Sequence, residues 1–316
     1  MRSVLMMLLL ASGSAGIARP QDPAVVVETP DKEGDSTGAG VSFTLNVNVD
    51  LVELQVLATD RAGRHVTTLD AADFVVTEDE IPQRITLFRQ DDLPVSLGLV
   101  IDNSRSMERK KDRVDAAALS FVGYNNAEDE AFLIHFDDAA RLAEGFTRNP
   151  EPIRKTLGAI RPYGQTALFD AVSMALETIG LGEHAQKAIL LISDGADNAS
   201  TRDFGSVLEE VRQSGATLYA IGVFGNPSAG REAQPVLEAL AEAGGGRAFF
   251  PETAEEVPAL TLRIAREIRD QYTLGYVPTN PLHDGTWRSV RVDVRPEAGV
   301  PNIRLGYRHG YYAPED

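Results

Sequence analysis

Three oxygen-bearing side chains at alternate positions, Asp102, Ser104 and Ser106, follow the apolar run Val95-Ser96-Leu97-Gly98-Leu99-Val100-Ile101. An acid and two hydroxyls are hard ligands, suited to a cation such as Mg²⁺, Mn²⁺ or Ca²⁺ and poorly suited to zinc or copper. The plainer reading is a turn followed by a Ser N-cap. Asp-x-Ser-x-Ser alone does not choose between the two. Two later stretches add weight to the first. Gly164-Gln165-Thr166-Ala167-Leu168-Phe169-Asp170 puts a threonine at the mouth of a helix. Lys187-Ala188-Ile189-Leu190-Leu191-Ile192-Ser193-Asp194-Gly195 is a second apolar run that ends in an acid and a glycine turn.

The elements that must position these residues follow from periodicity. An apolar run of this length predicts a strand buried on both faces, as in a parallel sheet. From Glu108 to about Tyr124, Val114, Ala117, Ala118, Phe121 and Val122 recur at helical spacing. Asp102, Ser104 and Ser106 therefore sit at the carboxyl end of a central strand, where open α/β sheets keep their ligands. Further strands are expected at 130–136, 140–146, 217–223 and 247–250. Helices are expected at 170–179, 204–213, 234–243 and 254–270. This alternation predicts a doubly wound, mostly parallel sheet with right-handed crossovers.

In this order and spacing the three stretches resemble the von Willebrand factor type A domain. Its metal-ion-dependent adhesion site (MIDAS) joins Asp-x-Ser-x-Ser to a Thr and an Asp. The resemblance implies a Rossmann-like domain over 93–270 with Asp102, Ser104, Ser106, Thr166 and Asp194 as metal ligands. It also implies Mg²⁺ (or Mn²⁺/Ca²⁺) as the ion and 140–146 as an antiparallel edge strand. A first shell made mainly of neutral hydroxyls leaves the cation under-neutralised. A partner protein's Asp or Glu then completes the octahedron, and the loops around Asn103, Arg105, Gln165 and Gly195 meet that partner. In such relatives the last helix shifts when the site changes ligands, and here the 254–270 helix leads straight into the C-terminal segment.

The flanks are β-rich. In 41–92, Phe43, Leu45, Val47, Val49 and Leu51 alternate with polar residues, then the phase slips to Val52, Leu54, Val56 and Ala58. Strands are also expected around Phe74-Val75-Val76 and Ile85-Thr86-Leu87-Phe88. In 271–316 the alternating sets are Tyr272, Leu274, Tyr276, then Val290, Val292, Val294, then Ile303, Leu305, Tyr307. So short a segment is too small for a core of its own. The two flanks are therefore expected to pack together as one β-sandwich around an inserted α/β domain, with Trp287 and the nearby tyrosines in its core. Asp73-Phe74-x-Val76-x-Glu78-Asp79, Ile81-Pro82-Gln83, Gln271-Tyr272-x-Leu274-Gly275-Tyr276 and Gly310-Tyr311-Tyr312-Ala313 resemble the acidobacterial von Willebrand A-related family. That family usually has Gly where Glu80 stands here.

Residues 1–18 read as a secretory signal peptide, with Arg2, an apolar core from Val4 to Ala11, and small residues after it. The core is too short for a membrane span. Residues 19–40 read as a disordered linker. The expected destination is periplasmic, cell-surface or secreted, with no transmembrane segment in the mature chain. The 316-residue chain has no cysteine, which excludes a disulfide framework and thiol chemistry. Its formal charge of −17 argues against nucleic-acid binding, which needs phosphate-neutralising Lys and Arg clusters.

The function expected is divalent-cation-dependent protein binding without catalysis. Two alternatives are a structural envelope protein whose metal only stabilises the loops, and a Mg-dependent hydrolase. The hydrolase lacks sequence support, since neither a phosphate-binding Gly-x-x-x-x-Gly-Lys-Ser/Thr loop nor a Gly-x-Ser-x-Gly elbow is present. Other acids take plainer roles. Asp112 and Asp115 are expected on a helix surface, Asp137 and Asp138 at a strand end, Asp170 as a cap or brace of the loop and Asp197 in a turn. The five histidines are scattered singly.

Overall fold

The computed structural model describes residues 51–90, 92–124, 126–224, 227–295 and 302–315. The expected signal peptide (1–18), the linker (19–40) and the alternating stretch from Phe43 to Val49 lie outside the described residues.

Four strands come first: β1 (Val52–Thr59), β2 (Phe74–Glu78), β3 (Ile81–Gln83) and β4 (Ile85–Arg89). The α/β part starts with β5 (Val95–Asp102), α1 (Lys111–Gly123), β6 (Glu130–Phe136), β7 (Ala140–Thr147) and α2 (Pro150–Ala159). It continues through α3 (Leu168–Gly180), β8 (Gln186–Ser193), α4 (Phe204–Ser214) and β9 (Thr217–Gly222). It ends with α5 (Pro227–Ala243), β10 (Ala248–Phe249) and α6 (Val257–Arg269). Four more strands close the chain: β11 (Tyr272–Tyr276), β12 (Trp287–Val294), β13 (Arg304–Gly306) and β14 (Gly310–Tyr312).

The six-stranded sheet has the order β10-β9-β8-β5-β6-β7, parallel except for the antiparallel edge strand β7. Every residue of β5 is buried, as its apolar run requires. Its odd-numbered side chains (Val95, Leu97, Leu99, Ile101) pack with α1, α2 and α6, while Val100 faces α3, α4 and α5. Covering both faces of a parallel sheet with helices is what makes its strands continuously apolar. Gly98 is required by its neighbour, because a Cβ there would lie 2.6 Å from Cζ of Phe132.

The flanking strands form two four-stranded antiparallel sheets, β13-β1-β11-β4 and β14-β12-β2-β3. Leu54, Val56, Phe74, Val76, Tyr272, Leu274, Tyr276, Val290 and Val292 from both sheets share one core. The two flanks thus form the expected β-sandwich, with the α/β part inserted between β4 and β11. Those two strands are hydrogen-bonded neighbours, with Thr273 opposite Arg89. The polar ends of the core tyrosines are satisfied. Tyr272 Oη donates to the Val66 carbonyl at 2.9 Å, and the Tyr276 and Tyr311 hydroxyls each donate to Glu78 Oε2 at 2.8 Å.

Several elements differ from the sequence expectation. Helix α1 begins at Lys111 rather than Glu108: a 3₁₀ turn (Arg105–Met107) comes first, and 108–110 continue as a turn. Residues 254–256 are likewise a 3₁₀ turn ahead of α6. Helix α2 and strand β3 were not expected. Asn149 starts α2 by accepting the Glu151 N–H at 3.1 Å, with Pro150 in the first turn, where its missing N–H costs nothing. Trp287 is outside the sandwich core. Along β12 the even-numbered residues Val290 and Val292 point inward, so parity turns Trp287 outward, 37% exposed. There it lines a cleft of about 620 Å³ with Arg212, Glu242, His309 and Tyr312.

Candidate metal centre

The chain runs from β5 to β6 and β7 on one side of the sheet, then crosses to β8, β9 and β10 on the other. The switch point is therefore at the carboxyl ends of β5 and β8, where a crevice opens between loops that diverge. Asp102 is the last residue of β5, and Asp194 directly follows β8. Asp102 Oδ1 accepts the Ser104 N–H at 2.8 Å, and its Oδ2 accepts the Ser193 hydroxyl at 2.6 Å. The Ser104 and Ser106 hydroxyls are 3.0 Å apart, and Ser106 Oγ donates to Asp194 Oδ1 at 2.7 Å. The other oxygen of Asp194 is taken by the Lys110 ammonium.

Thr166 joins this group through two stitched loops. Its N–H donates to Asn198 Oδ1 at 2.8 Å, and its carbonyl accepts the N–H groups of Asn198 and Ala199. Its hydroxyl lies 3.5 Å from where a Cβ on Gly195 would stand. The Thr166 loop is also tied to the first loop: the Arg105 N–H donates to the Gly164 carbonyl at 3.3 Å, and the Tyr163 N–H to the Asn103 carbonyl at 2.9 Å. Asn103 Nδ2 donates in turn to the Arg161 carbonyl at 2.6 Å. Gly164 has φ +70° and packs on the Asp138 carboxylate, whose Oδ1 accepts the Gln165 N–H at 2.7 Å. A residue with a side chain fits there only with strain.

All five residues singled out in the sequence thus stand at one end of the sheet. Asp102, Ser104, Thr166 and Asp194 are buried, whereas Ser106 is exposed, as are Arg105 and Gln165 around it. The group is closed beneath and open above. Burial pushes the Asp102 carboxyl above its ordinary value. The Ser193 and Ser104 donors oppose that shift, and the Asp194 charge adds to it. A cation at this point would favour both ionised acids and reverse the direction. The donor set fits a hard divalent ion: three hydroxyl and two carboxylate side chains, with neither sulfur nor imidazole. Among the described residues no cluster of three or more Asp, Glu, His or Cys stands ready for a metal. Hydroxyls supply the majority of the candidate ligands here.

The other acids are accounted for by local structure. Asp170 accepts the N–H groups of Thr201 and Arg202, so it braces that loop. Asp197 Oδ1 accepts the Phe169 N–H at 3.2 Å and the Ser200 hydroxyl. Asp115 pairs with Lys111 at 2.8 Å, and Asp137 with Arg141 at 2.6 Å. Sequence reasoning missed Asn198 and Lys110 and placed Asp138 only at a strand end; Asn198, Asp138 and Lys110 fix Thr166, Gly164–Gln165 and Asp194 respectively. Their partners are 32, 27 and 84 residues away, so no local spacing marks them.

Residues 97–196 match the family model of the von Willebrand factor type A domain. The α/β part has a von Willebrand A fold. A von Willebrand factor type A protein from Catenulispora acidiphila is similar in structure, at 12% identity, with 86% of this chain and 76% of that one covered and a TM-score of 0.50. Proximal thread matrix protein 1 from the mussel byssus, solved with a zinc-occupied MIDAS motif, is similar at 17% identity. That match covers 60% of this chain and 49% of the mussel protein, with a TM-score of 0.50. The von Willebrand factor domain of a type V pilus tip protein from Porphyromonas gingivalis aligns at 16% identity, covering 56% and 95% of the two chains, with a TM-score of 0.48. No curated protein matches the chain. No described helix is long and apolar enough to cross a membrane.

Proposed function

We propose that this chain is an exported, divalent-cation-dependent protein-binding module of the adhesion type. In this reading Asp102, Ser104, Ser106, Thr166 and Asp194 hold Mg²⁺ (or Mn²⁺ or Ca²⁺), and the site takes an Asp or Glu carboxylate from a protein partner. The observation that carries it is the gathering of three hydroxyls and two carboxylates from three loops at the switch point, buried on one side and open at Ser106. A bound ion would supply the electrophile that such a carboxylate meets. The chain's own residues do the rest. Asp102 fixes the first loop through the Ser104 N–H, and the hydroxyls of Ser104, Ser106 and Thr166 offer neutral lone pairs that leave the charge under-compensated. Asn103, Arg105, Gln165 and Gly195 form the rim on which the partner rests. The zinc in the mussel protein's MIDAS motif supports a metal in this fold. The purely oxygen donor set here favours a harder ion. The sequence signals at 1–18 and 19–40 support a periplasmic, surface or secreted destination.

The test is calorimetric titration of Mg²⁺ and Mn²⁺ into the purified protein beside Asp102→Ala and Ser104→Ala. Saturable binding by the parent and none by the variants is expected. A well-folded parent that takes up no ion would remove the metal from the reading and leave a structural module.

A further inference from the structure

We propose that Lys110 is a built-in competitor for the cation: its ammonium neutralises Asp194 when no ion is bound, and it must withdraw before a divalent ion can take that oxygen. The inference rests on the metal reading above and names the residue that sets the site's affinity.

Three observations carry it. Asp194 is buried (its side chain 2% exposed), and both its oxygens are engaged, Oδ1 by the Ser106 hydroxyl and Oδ2 by Lys110 Nζ. A buried carboxylate must be paired, and lysine is doing the pairing that an ion would otherwise do. Second, the lysine is drawn inward, its side chain only 14% exposed, although Glu108 and Arg109 just before it are exposed. Third, Lys110 is the N-cap residue of α1. A positive charge is unfavourable at a helix N-terminus, so the helix does not hold it in place and the acid does.

The charges then dictate an exchange. A divalent ion and the Lys110 ammonium need the same oxygen, Asp194 Oδ2, and Asp102 and Asp194 are the only acids among the candidate ligands to hold them. With the ammonium still in contact, the two cations would repel each other at close range. Lys110 can leave cheaply, because its four-carbon stem can swing to water beside the exposed Glu108. The metal-free protein therefore keeps a satisfied, preformed site, and ion binding is weaker by the strength of the lysine contact. A charge-assisted hydrogen bond of this kind carries about a ten- to hundredfold factor in an equilibrium constant.

The experiment is titration of Mn²⁺ and Mg²⁺ into the wild-type protein, Lys110→Met, Lys110→Gln, Lys110→Arg and Asp194→Ala, with thermal melts in chelator and in saturating ion. The proposal expects Lys110→Met and Lys110→Gln to bind about ten- to a hundredfold more tightly than wild type, and Lys110→Arg not to gain. It also expects the neutral variants to melt lower than wild type in chelator and to recover more on adding ion. A lysine that only supports the loop would lower the melting temperature equally in both conditions and leave affinity unchanged or weaker, which would overturn the proposal. Equal affinity in wild type and in the neutral variants, with binding lost in Asp194→Ala, would overturn it while leaving the metal reading intact. Absence of saturable binding in every folded variant would overturn both.

Discussion

Gly164→Ala is the substitution that most directly probes how the second loop presents Thr166. The residue has φ +70°, a conformation that costs an L residue about 1–2 kcal/mol. A methyl group there would stand 2.5 Å from Asp138 Oδ1 and 2.6 Å from its Cγ. The carboxylate must turn away and release the Gln165 N–H that it accepts at 2.7 Å. That bond is exposed, so its loss adds only about 1 kcal/mol, the ordinary net value of an intramolecular hydrogen bond. The total is about 2–3 kcal/mol, which in a unit of this size lowers the melting temperature by roughly 5–10 °C. Because Gln165 and Thr166 move with the turn, cation affinity should fall by about tenfold or more, as when a support behind a ligand is removed. Gly158→Ala is the matched control. It lies in α2 with nothing within 4 Å of the new methyl, and should gain about 0.5–1 kcal/mol. Thermal melts in chelator and Mn²⁺ calorimetry on both variants decide the matter. A Gly164→Ala protein as stable as its parent would refute the account of the loop. A destabilised one with unchanged cation affinity would take Thr166 out of the ligand set.

The turn between β2 and β3 places Asp79 and Glu80 at φ +47° and +67°, the two-residue arrangement that favours glycine. Asp79 is fixed by bonds to both the carbonyl and the N–H of Ser289, whereas Glu80 is exposed. Glu80→Gly should therefore stabilise by about 1 kcal/mol, read as a higher urea midpoint; a lower one would count against this assignment of the turn. Glu267 is fully buried on α6 and faces Arg247, Arg263 and His65. Glu267→Ala should cost about 2–4 kcal/mol in the same assay, less than a fully buried pair because both arginines reach water. Asp203 caps α4, and its carboxyl is held below the ordinary value, chiefly by the Ser206 N–H. The sign follows from that depression. Its contribution is complete above the unfolded-state value and is lost as pH falls through the lower folded one. Asp203→Asn should therefore lower the urea midpoint at pH 7 and have progressively less effect as pH falls below the ordinary aspartate range; an equal effect throughout would refute the pairing.

The sheet was legible because its strands are buried on both faces, and so carry continuous apolar runs such as Val95–Ile101 and Ala188–Ile192. The candidate site was legible because Asp-x-Ser-x-Ser stands where such a run stops. Helix α2 was hidden by its own start, Pro150-Glu151-Pro152, which reads as loop, and by a stripe of only Ile153 and Leu157 buried beneath it. Strand β3 was hidden by Pro82, tolerable only because the strand lies at a sheet edge. Trp287 was misplaced by composition, since a lone tryptophan reads as core, while the parity set by Val290 and Val292 turns it outward. What supports the site was out of reach for another reason. Lys110, Asp138 and Asn198 act across folded loops, and nothing in their neighbourhood in the chain marks the acid or amide that each one meets.

The insertion of the α/β part between neighbouring strands has a mechanical consequence. The carboxyl end of β4 and the amino end of β11 both lead toward it, and the two strands lie side by side. A pull on the loops of the site, directed away from the sandwich, draws β4 and β11 along their length in the same direction. Their mutual ladder then carries no opposing load. The tension passes to the bonds between β11 and β1, where Val52 to Val56 face Tyr276 to Tyr272 and must slip together rather than open one by one. The joint is loaded in shear, the geometry in which a short ladder resists longest.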